Sequence, residues 1–153
     1  MPAIELTIRN RTADVAVVRD ALDRLGVEQG IPAKALIELQ VAIDEIISNV
    51  IKYAWPDGDP HELQVRVAVR DAVAEVDIID DGQRFDPRDA PAPAPPRSGI
   101  RPPTGGRGVH LVKQLVDRFE YARVGERNHV KLTKQFIVEA FPEGRGPDDK
   151  QRT

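Results

Sequence analysis

Apolar residues recur every three or four positions between residues 32 and 53, which is the spacing of one face of a helix. The apolar positions that share this face are Leu36, Leu39, Ile43, Ile46, Ile47, Val50 and Ala54. The segment 56–60, rich in proline, aspartate and glycine, ends the pattern with a turn. The sequence therefore predicts a long amphipathic helix, with Glu45, Asn49 and Lys52 together on nearly the opposite side.

The other segments show helical or alternating periodicity. Alternation of apolar and polar residues predicts strands over 4–9, 62–70, 73–80, 118–124 and 128–137. Helical spacing predicts a helix over 14–25 and another from the glycines near 105 to about Asp117. Gly26 is the expected end of the first helix. Asp71 and Ala72 suit a tight reversal between two strands.

Asp80 is the last residue of a predicted strand, and its parity matches that of Val76 and Ile78. Its carboxylate is therefore expected on the core side of the sheet. An unpaired charge there would be costly, so a backbone donor or the N–H of a ligand has to satisfy it. Gly82, two residues later, lets the backbone turn and a ligand approach closely.

The segment 87–104 holds seven of the 13 prolines, which excludes a packed helix or a central strand. An insertion loop in one domain fits it better than a linker, and such loops are often lids. The next segment, 105–108, is Gly-Gly-Arg-Gly and opens a helix, which suits phosphate binding. An ordinary glycine-rich turn explains these glycines equally well. The tail 141–153 is nearly free of apolar residues and is expected to be disordered.

Composition narrows the class of protein. With 153 residues, 31% of them charged and 41% hydrophobic, the chain fits one globular domain. A formal net charge of −3 gives no electrostatic argument for binding nucleic acid or an anionic membrane. The absence of cysteine excludes thiol chemistry. Without a signal peptide or a long apolar run, a cytoplasmic protein is expected.

The trio Glu45, Asn49 and Lys52 has two interpretations. Taken alone, three polar residues on one helix face are typical of a solvated surface. In combination with Asp80 and the glycine-rich segments they supply what a nucleotide needs. Neither a Walker P-loop nor a Rossmann glycine turn is present in the sequence.

Three segments resemble the motifs of one superfamily. EIISNVIKYAW resembles the N box of the Bergerat-fold, histidine-kinase-like ATPases; DIIDDGQRFDP resembles their G1 box and GGRGVHLVKQLVD their G2 box. Within this superfamily, the short chain resembles the anti-sigma-factor serine/threonine kinases of bacterial partner switching. The resemblance implies an α+β, two-layer α/β sandwich with a mixed, mainly antiparallel sheet. It further implies one kinase domain over 1–140, with an ATP lid at about 84–105.

The resemblance assigns roles to single residues. Glu45 matches the proposed general base, and Asn49 matches the residue whose side-chain oxygen binds Mg²⁺. Lys52 is expected to meet phosphate charge. Asp80 matches the aspartate that accepts the adenine amino group, and Gly82 would give clearance for the base.

The remaining matches lie elsewhere in the chain. Gly106, Gly108 and the amide of Arg107 match residues that wrap the phosphates. Thr133 is expected near the adenine. Arg19 falls where these kinases contact protein partners.

The implied function is an ATP- and Mg²⁺-dependent serine/threonine protein kinase. It would phosphorylate a serine on a STAS-type anti-anti-sigma protein and sequester a sigma factor, as a cytoplasmic homodimer without direct contact to nucleic acid or membrane. One alternative is a non-catalytic ATP-binding regulatory module, which would not need Glu45. Another is a detached histidine-kinase catalytic domain, which would need a phosphoacceptor in trans.

Overall fold

The computed structural model of the protein describes residues 2–89 and 108–138. Within these ranges one sheet contains the strands β1 (Ala3–Arg9), β2 (Glu62–Arg70), β3 (Val73–Asp80), β4 (Arg118–Val124) and β5 (Arg127–Gln135). The helices are α1 (Val15–Gln29), α2 (Ala33–Tyr53) and α3 (Gly108–Leu115). The strand order is β1-β2-β3-β5-β4, and every neighbouring pair is antiparallel.

Alternation along the strands gives the sheet an inward and an outward face. In β2, for example, Leu63, Val65 and Val67 are buried, whereas Gln64 and Arg66 are exposed. Buried side chains from all three helices join the inward residues in one hydrophobic core. The helices therefore form a second layer on one face of the sheet.

The apolar side of α2 lies in this core, as its sequence pattern predicts. Leu39, Ile43, Ile46 and Ile47 are each 1% exposed or less. Burial of one such side chain contributes about 1.5–3 kcal/mol. This helix is therefore held firmly against the sheet, and its orientation fixes where its polar residues lie.

The turn between β2 and β3 is the predicted tight reversal. Asp71 and Ala72 both have positive φ, 51° and 61°, as expected for a two-residue hairpin turn. The resulting register sets Asp80 between Leu63 of β2 and Asn128 of β5.

Gly26 does not end α1, contrary to the sequence-based expectation. The helix continues to Gln29 and ends at Gly30, which has φ +66°. Gly26 is buried, and a Cβ on it would lie 2.7 Å from Cδ2 of Leu36. The glycine thus permits close packing of α1 on α2, a requirement that the sequence periodicity does not reveal.

The fold class predicted from the sequence, an α+β two-layer sandwich, is confirmed. One detail is corrected: the described strands pair in antiparallel fashion throughout, so this sheet is not mixed. Hairpins connect β2 to β3 and β4 to β5 directly, which makes these pairs antiparallel.

The outward face of the sheet carries charges that alternate in sign across the strands. One row in register runs through Glu5, Arg66, Asp77, Lys131 and Glu120. Nε of Arg66 lies 3.5 Å from Oε1 of Glu5. Opposite charges on neighbouring strands support the pairing, and this face carries no helix among the described residues.

Part of the predicted lid is described: Arg84 and Phe85 follow the turn after β3, and a short 3₁₀ helix spans Pro87–Asp89. The rest of the lid, from 90 on, and the tail 141–153 lie outside the described residues. No described helix combines the length and apolar content that a membrane span requires.

Candidate active site

The three residues of the predicted trio on the polar face of α2 differ in their burial. Lys52 is exposed, Glu45 is partly buried, and Asn49 is only 6% exposed. A solvated helix surface would not bury a carboxamide to this degree. Asn49 is therefore not a solvated surface residue, and the partly buried Glu45 lies one helical turn before it.

Burial changes the acidity of Glu45. Desolvation raises the pKa of its carboxyl above the ordinary value, Lys52 opposes the shift, and Asp44 adds to it. A carboxylate with a raised pKa is a better proton acceptor near neutral pH. The direction of the shift thus makes the carboxylate of Glu45 a stronger proton acceptor than that of an exposed glutamate.

The carboxylate of Asp80 lies on the core side of the sheet, as predicted, and the residue is 4% exposed. Its Oδ1 accepts hydrogen bonds from the backbone N–H of Gly82 and from Nδ2 of Asn128, both at 2.9 Å. Within the described part of the chain, both bonds go to Oδ1 and leave Oδ2 as a free acceptor. The pKa of Asp80 is raised by burial, while these two donors lower it.

Asn128, beside Asp80, makes four side-chain hydrogen bonds to other described residues, and no sequence motif predicted it as part of the site. It is 2% exposed and lies directly opposite Asp80 on β5. Its Nδ2 also donates to the carbonyl of Gln83 at 2.7 Å. Its Oδ1 accepts from the Tyr121 hydroxyl at 2.6 Å and from the Phe85 N–H at 3.2 Å. Asn128 thus joins the strand end to the turn that follows it.

The turn after β3 also holds the C-terminus of α2. The backbone N–H of Gln83 donates to the carbonyl of Ala54 at 2.8 Å, and Nε2 of Gln83 donates to the carbonyl of Tyr53 at 2.6 Å. These carbonyls are among those left unpaired at a helix end. The aspartate end of the site and the helix that carries Glu45 are therefore linked.

Gly82 has a packing role that differs from the clearance for a ligand expected from the sequence. A Cβ at this position would lie 2.4 Å from the carbonyl oxygen of Ala54 and 2.6 Å from its Cβ. Any side chain would separate the turn from α2. The missing Cβ therefore serves the contact between strand end and helix.

Thr133 is not brought to the site, contrary to the expectation. It lies five residues from Asn128 along β5 and pairs with Glu75 of β3. The buried residues of β5 are the even-numbered ones from Asn128 to Lys134, so Thr133 points to the outward face. The position opposite Asp80 belongs to Asn128. The sequence contains a signal for this placement, because Asn128 has the same parity as the apolar residues Val130 and Leu132.

Arg19 is exposed, as a residue that contacts a partner would be, and it forms an ion pair with Asp44 of α2. The pKa of the Arg19 guanidinium is raised by this hydrogen-bonded carboxylate. Arg19 is thus tied to the residue that precedes Glu45.

Two of the three glycine-loop residues, Gly106 and Arg107, lie outside the described residues. Gly108 is the first residue of α3, so a helix does begin where the glycine cluster predicts one.

Comparison with known proteins identifies the class. The model of the histidine kinase-like ATPase domain family matches residues 8–134, so the chain belongs to this family. The crystal structure of the RsbU and RsbW domains of Rv1364c from Mycobacterium tuberculosis superposes with a TM-score of 0.64 at 16% identity, over 89% of this chain and 33% of that chain. The protein thus spans about a third of that solved chain, and the likeness confirms the fold.

Two relatives that match most of this chain are named as protein kinases. Serine/threonine-protein kinase BtrW of Bordetella bronchiseptica is 25% identical over 90% of this chain and 95% of its own length. Serine-protein kinase RsbW of Bacillus subtilis is 24% identical over 85% of this chain and 81% of its own. The resemblance to the serine/threonine kinases of this family, inferred from three motifs, is confirmed at the level of the class.

Proposed function

We propose that the protein is an ATP- and Mg²⁺-dependent serine/threonine protein kinase of a bacterial partner-switching system. It phosphorylates a serine on a STAS-type anti-anti-sigma protein and, when that protein is released, sequesters a sigma factor. We propose further that residues 1–140 are one kinase domain and that the protein acts as a cytoplasmic homodimer.

One observation carries this proposal: the order of functional groups along α2. The turn after Asp80 contacts Ala54 at the C-terminal end of the helix. At 1.5 Å per residue, Asn49 lies about 7.5 Å and Glu45 about 13.5 Å back along the axis. A nucleotide with its adenine at Asp80 would extend its phosphates along the helix. The phosphates would first reach the metal ligand Asn49 and then the general base Glu45.

Each group suits its role chemically. No residue that the structure describes donates to Oδ2 of Asp80, so this oxygen can accept an amino group of the purine. Asn49 is a buried residue whose side-chain amide oxygen is a hard donor that fits Mg²⁺, which takes few protein ligands and keeps waters and phosphate oxygens. When bound, the ion would neutralise charge on the phosphates. Lys52, exposed beside Glu45, would add positive charge, and Gly106, Arg107 and Gly108 would wrap the phosphates.

The chemical step requires little covalent participation from the protein. Glu45, with its raised pKa, accepts the proton of the serine hydroxyl as the oxygen bonds to the γ-phosphorus and the bond to the β-phosphate oxygen breaks. Positioning and charge neutralisation supply the rest. Arg19, exposed next to Asp44, would contact the protein partner.

The decisive experiment is phosphate transfer. The full chain is incubated with γ-labelled ATP, Mg²⁺ and the small STAS-type protein encoded nearest to it, and the labelled residue is identified. Acid-stable phosphoserine on that protein is expected. Acid-labile phosphohistidine would indicate a histidine kinase instead, and nucleotide binding without any label would indicate a non-catalytic module; either result overturns the proposal.

A further inference from the structure

Asn128 differs from an ordinary buried asparagine because its hydrogen bonds join three neighbouring parts of the fold: the end of β3, the turn that follows it, and β4. Nδ2 donates to Oδ1 of Asp80 and to the Gln83 carbonyl, and Oδ1 accepts from Phe85 and Tyr121. A carboxamide has two donor hydrogens and two acceptor lone pairs, so its capacity is fully used. Its orientation is therefore fixed.

This fixed amide constrains the carboxylate opposite. Oδ1 of Asp80 accepts from Asn128 and from the Gly82 N–H, both at 2.9 Å, so the orientation of the carboxyl group is held. Within residues 2–89 and 108–138, Oδ2 is the oxygen left to accept. Donors also favour the ionised form, against the burial that disfavours it. Among the charged residues that the structure describes, Asp81 opposes ionisation of Asp80 and Arg123 supports it, while Glu62 and Arg127 line the same pocket.

We propose that Asn128 is the positioning residue for base recognition: its amide fixes the orientation of the Asp80 carboxyl group, so that the site selects a purine with an exocyclic amino group at the position facing Oδ2. The inference rests on the proposed function, because it concerns the nucleotide of the same site. An ionised and oriented acceptor attracts an amino group and repels the oxygen of a 6-oxo purine.

Selectivity and pH dependence should therefore change together when Asn128 is altered. Asn128→Asp keeps the shape of the side chain but replaces the donor to Asp80 with a second carboxylate. Phe85 and Tyr121 still donate to the new carboxylate, which stabilises its charge. The two acids then share a proton, and Asp80 becomes the group that is neutral at higher pH.

The experiment is calorimetric titration of the full chain with AMP-PNP and GMP-PNP in Mg²⁺, from about pH 4, near the ordinary pKa of aspartate, to pH 8.5. In the wild type, adenine affinity should fall as the pH falls through the pKa of Asp80. In Asn128→Asp the pH at which half of this affinity is lost, the midpoint, should rise by at least one pH unit. At pH 7 the preference for AMP-PNP over GMP-PNP should shrink at least about tenfold.

Two further variants keep the test decisive. Asn128→Ser removes the amide donor without adding charge, and it should also raise the midpoint if the aspartate variant does not fold. Lys131→Ala, on the outward face of β5, should leave midpoint and selectivity unchanged. Thermal unfolding monitored by circular dichroism reports folding of each protein.

The outcomes separate the two proposals. If the wild type binds no adenine nucleotide, the proposed function fails. If the wild type binds and the folded variants at position 128 keep its midpoint and its selectivity, Asn128 is a purely structural residue and this inference is overturned.

Discussion

The backbone N–H of Gln83 donates a hydrogen bond to the carbonyl of Ala54 at 2.8 Å, so the turn after β3 closes the end of α2. The same turn receives a donor from Asn128, which in turn contacts Asp80. A continuous set of short contacts thus connects the aspartate to the helix of Glu45. Disturbing this connection should affect both ends of the site.

Gly82→Ala tests that connection directly. The added methyl group would lie 2.4 Å from the Ala54 carbonyl oxygen, and backbone has little freedom to move away. We expect a loss of about 1–3 kcal/mol in the free energy of unfolding, measured by urea denaturation, together with weaker binding of adenine nucleotide. Gly125→Ala at the β4–β5 turn, where no atom lies within 4 Å of the added carbon but φ is +59°, controls for glycine replacement alone. Equal binding by both variants would contradict the role of the contact.

Glu45→Gln should separate binding from catalysis. The amide keeps the volume of the side chain but cannot accept the serine proton, so the rate of transfer should fall about 100- to 10,000-fold. Nucleotide affinity, measured by calorimetry, should stay within a few-fold of the wild type. Near wild-type transfer would show that another group is the base.

The charges beside Glu45 should tune its pH profile in opposite directions. Lys52 lowers and Asp44 raises the pKa of Glu45, and only the ionised form acts as a base. Transfer therefore falls as the pH drops through this pKa. We expect the acid limb of the kcat profile to move to higher pH in Lys52→Met and to lower pH in Asp44→Asn. Shifts in the same direction would show that the limb does not belong to Glu45.

Asn49→Ala should weaken nucleotide binding in a way that depends on the metal. We expect affinity for AMP-PNP to fall at least about tenfold in Mg²⁺, since the substitution removes the proposed metal ligand. In EDTA the two proteins should bind almost equally. Ser48→Ala, the preceding residue on the same helix, is the matched control. An equal loss of affinity with and without Mg²⁺ would show that Asn49 acts only in packing.

Lys134 gives a prediction about stability outside the proposed site. Its buried ammonium donates to the carbonyl of Leu115 at 2.5 Å and to Glu38 at 2.7 Å. Lys134→Met leaves both acceptors without this partner and should cost about 1–3 kcal/mol in urea denaturation. Lys131→Met, on the exposed face of the same strand, should cost little.

The stability lost in Lys134→Met should depend on pH in a defined direction. Lys134 holds the pKa of Glu38 below its ordinary value, so the pair stabilises the fold above the unfolded-state pKa, near 4.3. The contribution is lost as the pH falls through the lower, folded-state value. The difference between wild type and Lys134→Met should therefore narrow in acid. A constant difference down to pH 3 would argue against the ion pair.

Periodicity was sufficient to predict the elements, because each buries one face. The apolar side of α2 and the inward parity that buries Asp80 follow from spacing alone. Asn128 was missed because a buried polar residue does not stand out in an alternating strand, and its meaning arises only when β5 pairs with β3. Gly26 was misread because close packing on Leu36 is a tertiary requirement.

The alternating charges on the outward face of the sheet have a practical consequence. Substitutions there change side chains that point away from the helices, and the chain contains no cysteine. A cysteine introduced at Lys131 would be the sole thiol in the protein. A fluorophore attached to it could report partner docking or self-association in solution while the chemistry on the other side of the sheet proceeds undisturbed.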